Sequence, residues 1–261
     1  MKKSGQVVLS RRLQMLADMV TPGNSVADVG CDHAFLSIYL VQAGISPRVL
    51  AMDVRKGPLA AAREHIAGSG LNTYIRLRLS DGLEQLGEGE AETIICAGMG
   101  GRLMARILTA GEAKARRMKE LILQPQSELK EFRAFLRREG YRILAEDGTY
   151  EEGKYYFAVK AVYGGAVADP EKRQGEDVCP WKKRDEAQRQ DIFDEYGELM
   201  LAGRHPVLKQ YLLQRQEKIK GILEKLEAED SPGRAKRASE FRRELEKLEG
   251  ALTEFYGSVC Q

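Results

Sequence analysis

The sequence predicts an α/β domain on a parallel sheet, closed at one edge by an antiparallel hairpin and followed by a small helical coiled-coil domain. Three observations carry this. Short apolar runs of strand length alternate with segments whose apolar residues recur every three or four positions, the pattern of strand–helix–strand units. Residues 141–164 hold two alternating runs around a turn-rich centre, which reads as a hairpin. Farther on, two segments with heptad-like spacing flank a Ser-Pro-Gly turn.

The elements follow in order. Leu9, Leu13, Leu16, Ala17 and Val20 lie at helical spacing, with Ser10 placed to cap and TPGN to end the helix. SVADVG is a short buried strand, and AFLSIYLVQAG a helix ending at Gly44. RVLAMDV is the second strand, and residues 58–70 a helix with Pro58 in its first turn. YIRLRLSDG alternates as a third strand, and AETIICAGMGG is a fourth that runs into glycines. Residues 102–115 read as one helix, ELILQP as a fifth strand stopped by Pro125, and residues 127–140 as a helix beginning at Ser127. A polar, turn-rich stretch divides the chain into domains at 1–165 and 166–261. In the second, Leu208, Leu212, Ile219, Ile222 and Leu226 face Phe241, Leu245, Leu248, Leu252 and Phe255 as an antiparallel helical hairpin, with Arg215 in one apolar slot. A dimerising coiled coil is the alternative; the short turn favours pairing within one chain, and a monomer or weak dimer is expected.

A net charge of +2 gives no global field to draw in a polyanion, so any such site must come from local basic clusters. Each cluster also reads as a solvated helix face. Cys31, Cys96, Cys179 and Cys260 form no CxxC pair, which argues against zinc and for reduced thiols. No HxH or HExxH spacing occurs either, so no metal is expected. The two N-terminal lysines precede no long apolar stretch, and a cytoplasmic protein is expected.

The chemistry is concentrated at the strand ends. After Asp28, Gly30 lets the backbone approach a ligand and the next helix offers free N–H groups. A dinucleotide-binding turn would continue with two more glycines, yet Asp32 and Ala34 stand there with His33 between them. A carboxylate repels a pyrophosphate. S-adenosylmethionine, a sulfonium cation without phosphate, fits Asp32 better than NAD or FAD. Asp53 ends the second strand, where a carboxylate accepts from ribose hydroxyls, or simply caps the next helix. Asp81-Gly82 follows the third strand, where a carboxylate can accept from an adenine amino group. Ala97, Gly98 and Met99 present backbone to a flat ligand. No Asn/Asp-Pro-Pro-Tyr motif or Pro-Cys nucleophile occurs, and Cys96 reads as core.

GCDHAFL, MDVRKGPL, LSDGLE, ICAGMGG and LILQP, in this order and followed by a helical hairpin, resemble the bacterial tRNA (adenine-N1)-methyltransferase family acting on adenine 22. The resemblance covers essentially the whole chain. Cys31 departs from a frequent serine and Asp53 from a frequent glutamate. The resemblance implies a Rossmann-like class I methyltransferase sheet, S-adenosylmethionine as methyl donor and tRNA as substrate. Its candidate cofactor residues are Arg12, Gly30, Cys31, His33, Asp53, Val54, Asp81, Gly82, Ala97, Gly98 and Met99. Arg11 and Arg12 resemble the family's N-terminal basic stretch.

Asp32 is the candidate catalytic residue, a carboxylate placed where a methylated adenine becomes cationic; its alternatives are to position cofactor or to cap the helix. His33 either holds Asp32 or the cofactor tail, or is a buried helix-start residue. Arg11, Arg55, Arg102, Arg234, Lys236, Arg237, Arg242 and Arg243 are the candidates for tRNA phosphate contacts. An aromatic residue should stack on the target base, and Phe35, Tyr39 and Tyr150 all read equally well as core. Another substrate for the same fold, and a non-catalytic RNA-binding scaffold, are the rival functions.

Overall fold

Successive side chains of a strand point to opposite faces of its sheet, so a sheet buried on both sides needs helices on both. The computed structural model, which describes residues 5–164, 185–228 and 233–257, shows this arrangement. It divides into two compact units, Met1–Lys172 and Arg173–Gln261. The expected boundary at 165 lies outside the described residues, as do Cys179, Cys260 and most of the Ser-Pro-Gly turn.

In the first unit the order is α1 (Arg11–Met19), β1 (Val26–Val29), α2 (Phe35–Gln42), β2 (Val49–Asp53), α3 (Lys56–Gly68), β3 (Ile75–Leu79) and β4 (Thr93–Met99). Then come α4 (Gly101–Ala110), α5 (Glu112–Ala115), β5 (Glu120–Pro125), α6 (Leu129–Arg138), β6 (Tyr141–Glu151) and β7 (Lys154–Tyr163). One seven-stranded sheet runs β3-β2-β1-β4-β5-β7-β6. The first five strands are parallel, with Val26 level with both Val49 and Thr93. β7 enters antiparallel to β5, and β6 closes the edge. Val26, Val49, Ala51, Ile95 and Ile122 join a core with Leu16, Ile38 and Ile66 of α1 to α3. Ala27, Val29, Met52, Ile94 and Leu123 join a second core with Met104, Leu108 and Phe132 of α4 and α6.

Local sequence accounts for much of this. Ser10 accepts from Leu13 N–H through its hydroxyl, the cap its position predicts. The structure corrects two readings. Residues 102–115 are not one helix: the chain breaks at Gly111, where a Cβ would lie 2.6 Å from Leu83, a close approach that only glycine allows. The helix does not begin at Ser127: α6 starts at Leu129 with Glu128, left-handed at φ 59°, at its N-cap, and the Ser127 carbonyl accepts from Gly101 N–H.

The second unit holds α7 (Glu186–Tyr196), α8 (Glu198–Ala202), α9 (Pro206–Ala228) and α10 (Arg234–Tyr256). The heptad reading omitted α7 and α8, although Asp185 caps α7 by accepting from Gln188 N–H. Leu208, Leu212, Ile219 and Leu226 of α9 and Leu248, Leu252 and Phe255 of α10 are buried. Tyr256 Oη donates to the His205 carbonyl and Arg215 pairs with Glu244, so the two helices run in opposite directions. Arg215 belongs in its apolar slot because both its Nε and Nη2 meet that carboxylate, at 2.6 and 2.9 Å.

Under the edge hairpin, Arg133 of α6 and Glu146 of β6 form an ion pair with side chains only 4% and 1% exposed, Nε to Oε1 at 2.8 Å. Removing one partner breaks a buried ion pair. Glu146→Ala is therefore expected to lower the unfolding free energy by about 3–5 kcal/mol. Urea denaturation followed by circular dichroism measures this, and a loss under about 1 kcal/mol would contradict it.

Candidate functional site

β1 and β4 lie side by side, but β1 leads to α2 on one face and β4 to α4 on the other. Such a reversal opens a crevice beyond the strands' carboxyl ends. The β1 side is a loop of alternating handedness. Gly30 (φ 77°), Asp32 (φ 48°) and Ala34 (φ 60°) are all left-handed, and only the first is glycine. The N–H groups of Gly30 and Cys31 both donate to the Met52 carbonyl, at 2.8 and 3.0 Å, tying the loop to β2.

Ala34, not Asp32, occupies the N-cap of α2, and no side chain caps that helix; the capping alternative for Asp32 is thereby removed. The Asp32 side chain is 63% exposed, with Oδ1 3.8 Å from His33 Nε2. His33 is 48% exposed, which corrects the buried helix-start reading. Its carbonyl accepts from His65 Nδ1 at 3.0 Å, which fixes that proton on Nδ1. Phe35 stacks on His65 with centroids 4.7 Å apart and is 40% exposed, so it is not core.

Two more acids lie beneath. Asp28 is buried and accepts from Ser37 Oγ at 2.6 Å. Burial pushes its carboxyl up to about 6 against the pull of Ser37, and the charge of Asp53 adds to the rise. Asp53 is also buried and accepts from Arg55 N–H at 2.9 Å, with Arg55 Nε 3.8 Å away. Arg55, expected on tRNA phosphate, thus lies against a cofactor candidate. Val54 is exposed beside it, while Asp81 is exposed and Gly82 buried against Ile107.

On the β4 side, Ala97, Gly98 and Met99 are half-buried. Burial, with the Asp28 charge, lifts the Cys96 thiol to about 12. Burial and the charges of Asp28 and Asp53 raise Cys31 farther still. Neither supplies a thiolate near neutral pH, so nucleophilic cysteine chemistry has no agent here. Arg12 reaches this side from α1, its Nη1 donating to the buried Gln124 Oε1 at 3.1 Å. Sequence reasoning passed over Gln124 and Gln126, whose signal is two amides flanking Pro125 at a strand end. Elsewhere, Arg102 is turned to Glu128, Nε to Oε1 at 2.6 Å, and the N–H of Arg11 donates to Glu151. Arg234, Lys236, Arg237, Arg242 and Arg243 all belong to α10 of the second unit.

The residues present fit S-adenosylmethionine. Gly30 is left-handed at φ 77°, a conformation that favours glycine, and without a Cβ its backbone is open to a close approach by a ligand. Asp53 offers a buried acceptor to ribose hydroxyls, Val54 an apolar surface to a base, and Asp32 an anionic rim suited to a cation. Among the described residues no group of three or more His, Cys, Asp or Glu stands close enough to hold a metal.

Comparison with known proteins agrees with this geometry. A family profile described as a methyltransferase domain matches residues 9–159. The chain is 39% identical to the tRNA (adenine(22)-N(1))-methyltransferase of Bacillus subtilis strain 168 over 159 residues, 61% of this chain and 67% of that protein. The crystal structure of the B. subtilis m1A22 tRNA methyltransferase TrmK aligns at TM-score 0.75 and 29% identity, over 94% of this chain and 99% of that one. Streptococcus pneumoniae Sp1610, solved in complex with S-adenosyl-L-methionine, aligns at TM-score 0.75 and 28% identity, over 94% and 100%.

Asp28 gives the site a pH signature. Its folded pKa, about 6, lies above its ordinary 3.8, so the folded state holds the proton more tightly. The stabilisation this contributes is full below about pH 4 and is lost as pH rises through about 6. Two pKa units correspond to about 3 kcal/mol. Relative to wild type, Asp28→Asn should gain about that much stability between pH 4 and pH 7, read from urea melts of the cofactor-free protein. A gap between the two proteins that does not change with pH would show that Asp28 does not titrate in this window.

Proposed function

We propose, from the premise that this chain belongs to the methyltransferase-domain family and within it to the tRNA (adenine(22)-N1)-methyltransferases, that it methylates N1 of adenine 22 in tRNA. The observation that supports this most directly is the exposed Asp32 carboxylate, held on a left-handed turn between the Cβ-free Gly30 and the start of α2. S-adenosylmethionine, when bound, supplies a methyl group activated by a sulfonium.

Adenine N1 carries an in-plane lone pair and needs no covalent help, in keeping with the protonated Cys31 and Cys96. The protein's work is therefore placement and charge. Asp53 accepts from the ribose, and Gly30 and Gly98 let backbone close on the ligand. As N1 gains its substituent, positive charge spreads into the adenine ring. Asp32 stabilises that charge and can take a proton from N6. Among the described residues no lysine or arginine pairs with Asp32, whose side chain is 63% exposed, so its charge is available to the base.

In folded tRNA, N1 of adenine 22 must first be exposed, by flipping the base or opening the D-arm locally. With a net charge of only +2, local clusters must hold the phosphates. Lys236 and Arg237 are exposed in the first turn of α10; Arg242 and Arg243 are exposed farther along it. We assign the helical unit this gripping role, with Arg11 and Arg102 contributing from the first unit. No helix among the described residues is long and apolar enough to cross a membrane.

Primer extension on an unmodified tRNA transcript tests the reading, because a methyl group on N1 blocks the copying enzyme. A stop at position 22 is expected with wild-type transcript and none when adenine 22 is replaced; methylation that persists after replacement would redirect the assignment. In the same assay Asp32→Asn should lower turnover by about 10²-fold or more, with S-adenosylmethionine affinity unchanged within a few-fold. Unchanged turnover would remove Asp32 from the mechanism.

A further inference from the structure

Gly98, one residue from the end of β4, is left-handed at φ 76°. A Cβ placed on it would lie 3.3 Å from Nη1 of Arg12 and 3.6 Å from Nε2 of Gln126. A guanidinium and a carboxamide thus border the space over this glycine. The guanidinium is committed. Its Nη1 donates to Gln124 Oε1 at 3.1 Å, and it lies over the Tyr156 ring, 5.6 Å from the centroid. Gln124 is itself closed off, with Nε2 donating to the Pro125 carbonyl.

Gln126 differs. Its main-chain N–H donates to the Met99 carbonyl at 2.8 Å, which fixes where the side chain starts. Its carboxamide has no hydrogen-bond partner among the described residues, and the residue is exposed. Met99 links this place to the β1 loop, since its Cε stands 2.3 Å from where a Gly30 Cβ would be. Adjacent residues at the end of β4 thus border the two places, Gly98 beside Gln126 and Met99 beside the β1 loop.

A base methylated at N1 must turn that nitrogen toward the methyl donor, so the protein cannot recognise adenine by bonding N1. The N6/N7 edge remains. There adenine shows one donor and one acceptor, and a carboxamide matches both in a bidentate pair. Guanine shows two acceptors on that edge, and a carboxamide can satisfy only one. The N6 amino group has two hydrogens. One lies on the N1 side, within the domain of Asp32, and the other on the N7 side, so both residues can bond it at once.

We propose that Gln126 is a specificity-determining residue that reads the target adenine, Oε1 accepting from N6–H and Nε2 donating to N7. This rests on the adenine-N1 reading above and adds to it the edge by which the base is known. Gln126 touches neither the methyl group nor N1, so its loss acts on base selection and placement and spares cofactor binding.

The test uses full-length protein and two tRNAs, one with adenine and one with 7-deazaadenine at position 22. Wild type should lose about 2- to 10-fold in kcat/KM on the deaza substrate, the net worth of one hydrogen bond. Gln126→Leu, which removes both bonds, should lose about 5- to 100-fold on adenine and show no further loss on 7-deazaadenine. Gln126→Glu, nearly isosteric, keeps the N6 acceptor but sets a carboxylate oxygen against the N7 lone pair. It should therefore prefer the deaza substrate, reversing the wild-type order. S-adenosylmethionine dissociation constants within a few-fold of wild type establish that both variants are folded. Equal wild-type rates on the two tRNAs, or the same deaza penalty in wild type and Gln126→Leu, would overturn the proposal. No transfer to either tRNA by wild type would overturn the adenine-N1 reading and this inference with it.

Discussion

The site depends on one topological constraint: β1 and β4 are adjacent and parallel, yet each passes its chain to a helix on a different face. No helix can cover the gap that this leaves beyond the strand ends, and the backbone there turns with unusual freedom. Gly30 and Gly98, one on each side, supply that freedom. Asp53 reaches the gap because β2 lies next to β1, and Arg12 because α1 packs on the same face as α2. The β6–β7 hairpin contributes through Glu151, whose carboxylate accepts from the first N–H groups of α1 and so places Arg12.

Electrostatics complete the assignment of roles. Asp28, Asp32 and Asp53 all serve the same loop, but they stand in different environments. Asp28 sits in the core, resists ionisation and is held by a hydroxyl. Asp53 is buried and accepts from a backbone N–H, with an arginine close by. Asp32 is the exposed one, and the only one of the three whose carboxylate faces outward to meet a substrate.

The sheet was legible because strand and helix periods differ and because Gly, Pro and Asp punctuate the strand ends. Tyr141 to Gly164 showed its hairpin by alternation alone, and Asp53 and Gly30 stand at the strand ends that the sequence marked. Contacts distant in sequence were not legible. Nothing local tells that Leu83 presses on Gly111, so α4 and α5 read as one helix. Ser127 lies ahead of α6, its carbonyl bonded to Gly101 N–H, a contact made only in the fold. Phe35 looked like core because its exposure depends on where α3 brings His65. Gln126 carried no motif; its significance comes from the glycine it overhangs.

Ala34 offers a last consequence. It holds a left-handed conformation that costs a non-glycine residue about 1–3 kcal/mol, in a place where glycine would sit without strain. Its methyl is fully buried against α2 and its neighbours, which offsets part of that cost. Alanine by itself favours other backbone shapes, so the packing around the loop, and not the residue's own preference, holds it in this one. Glycine at this position would relieve the strain but leave a void where the methyl packs. The missing second and third glycines thus make the loop's shape depend on the core beneath it, where glycines would adopt that shape unaided.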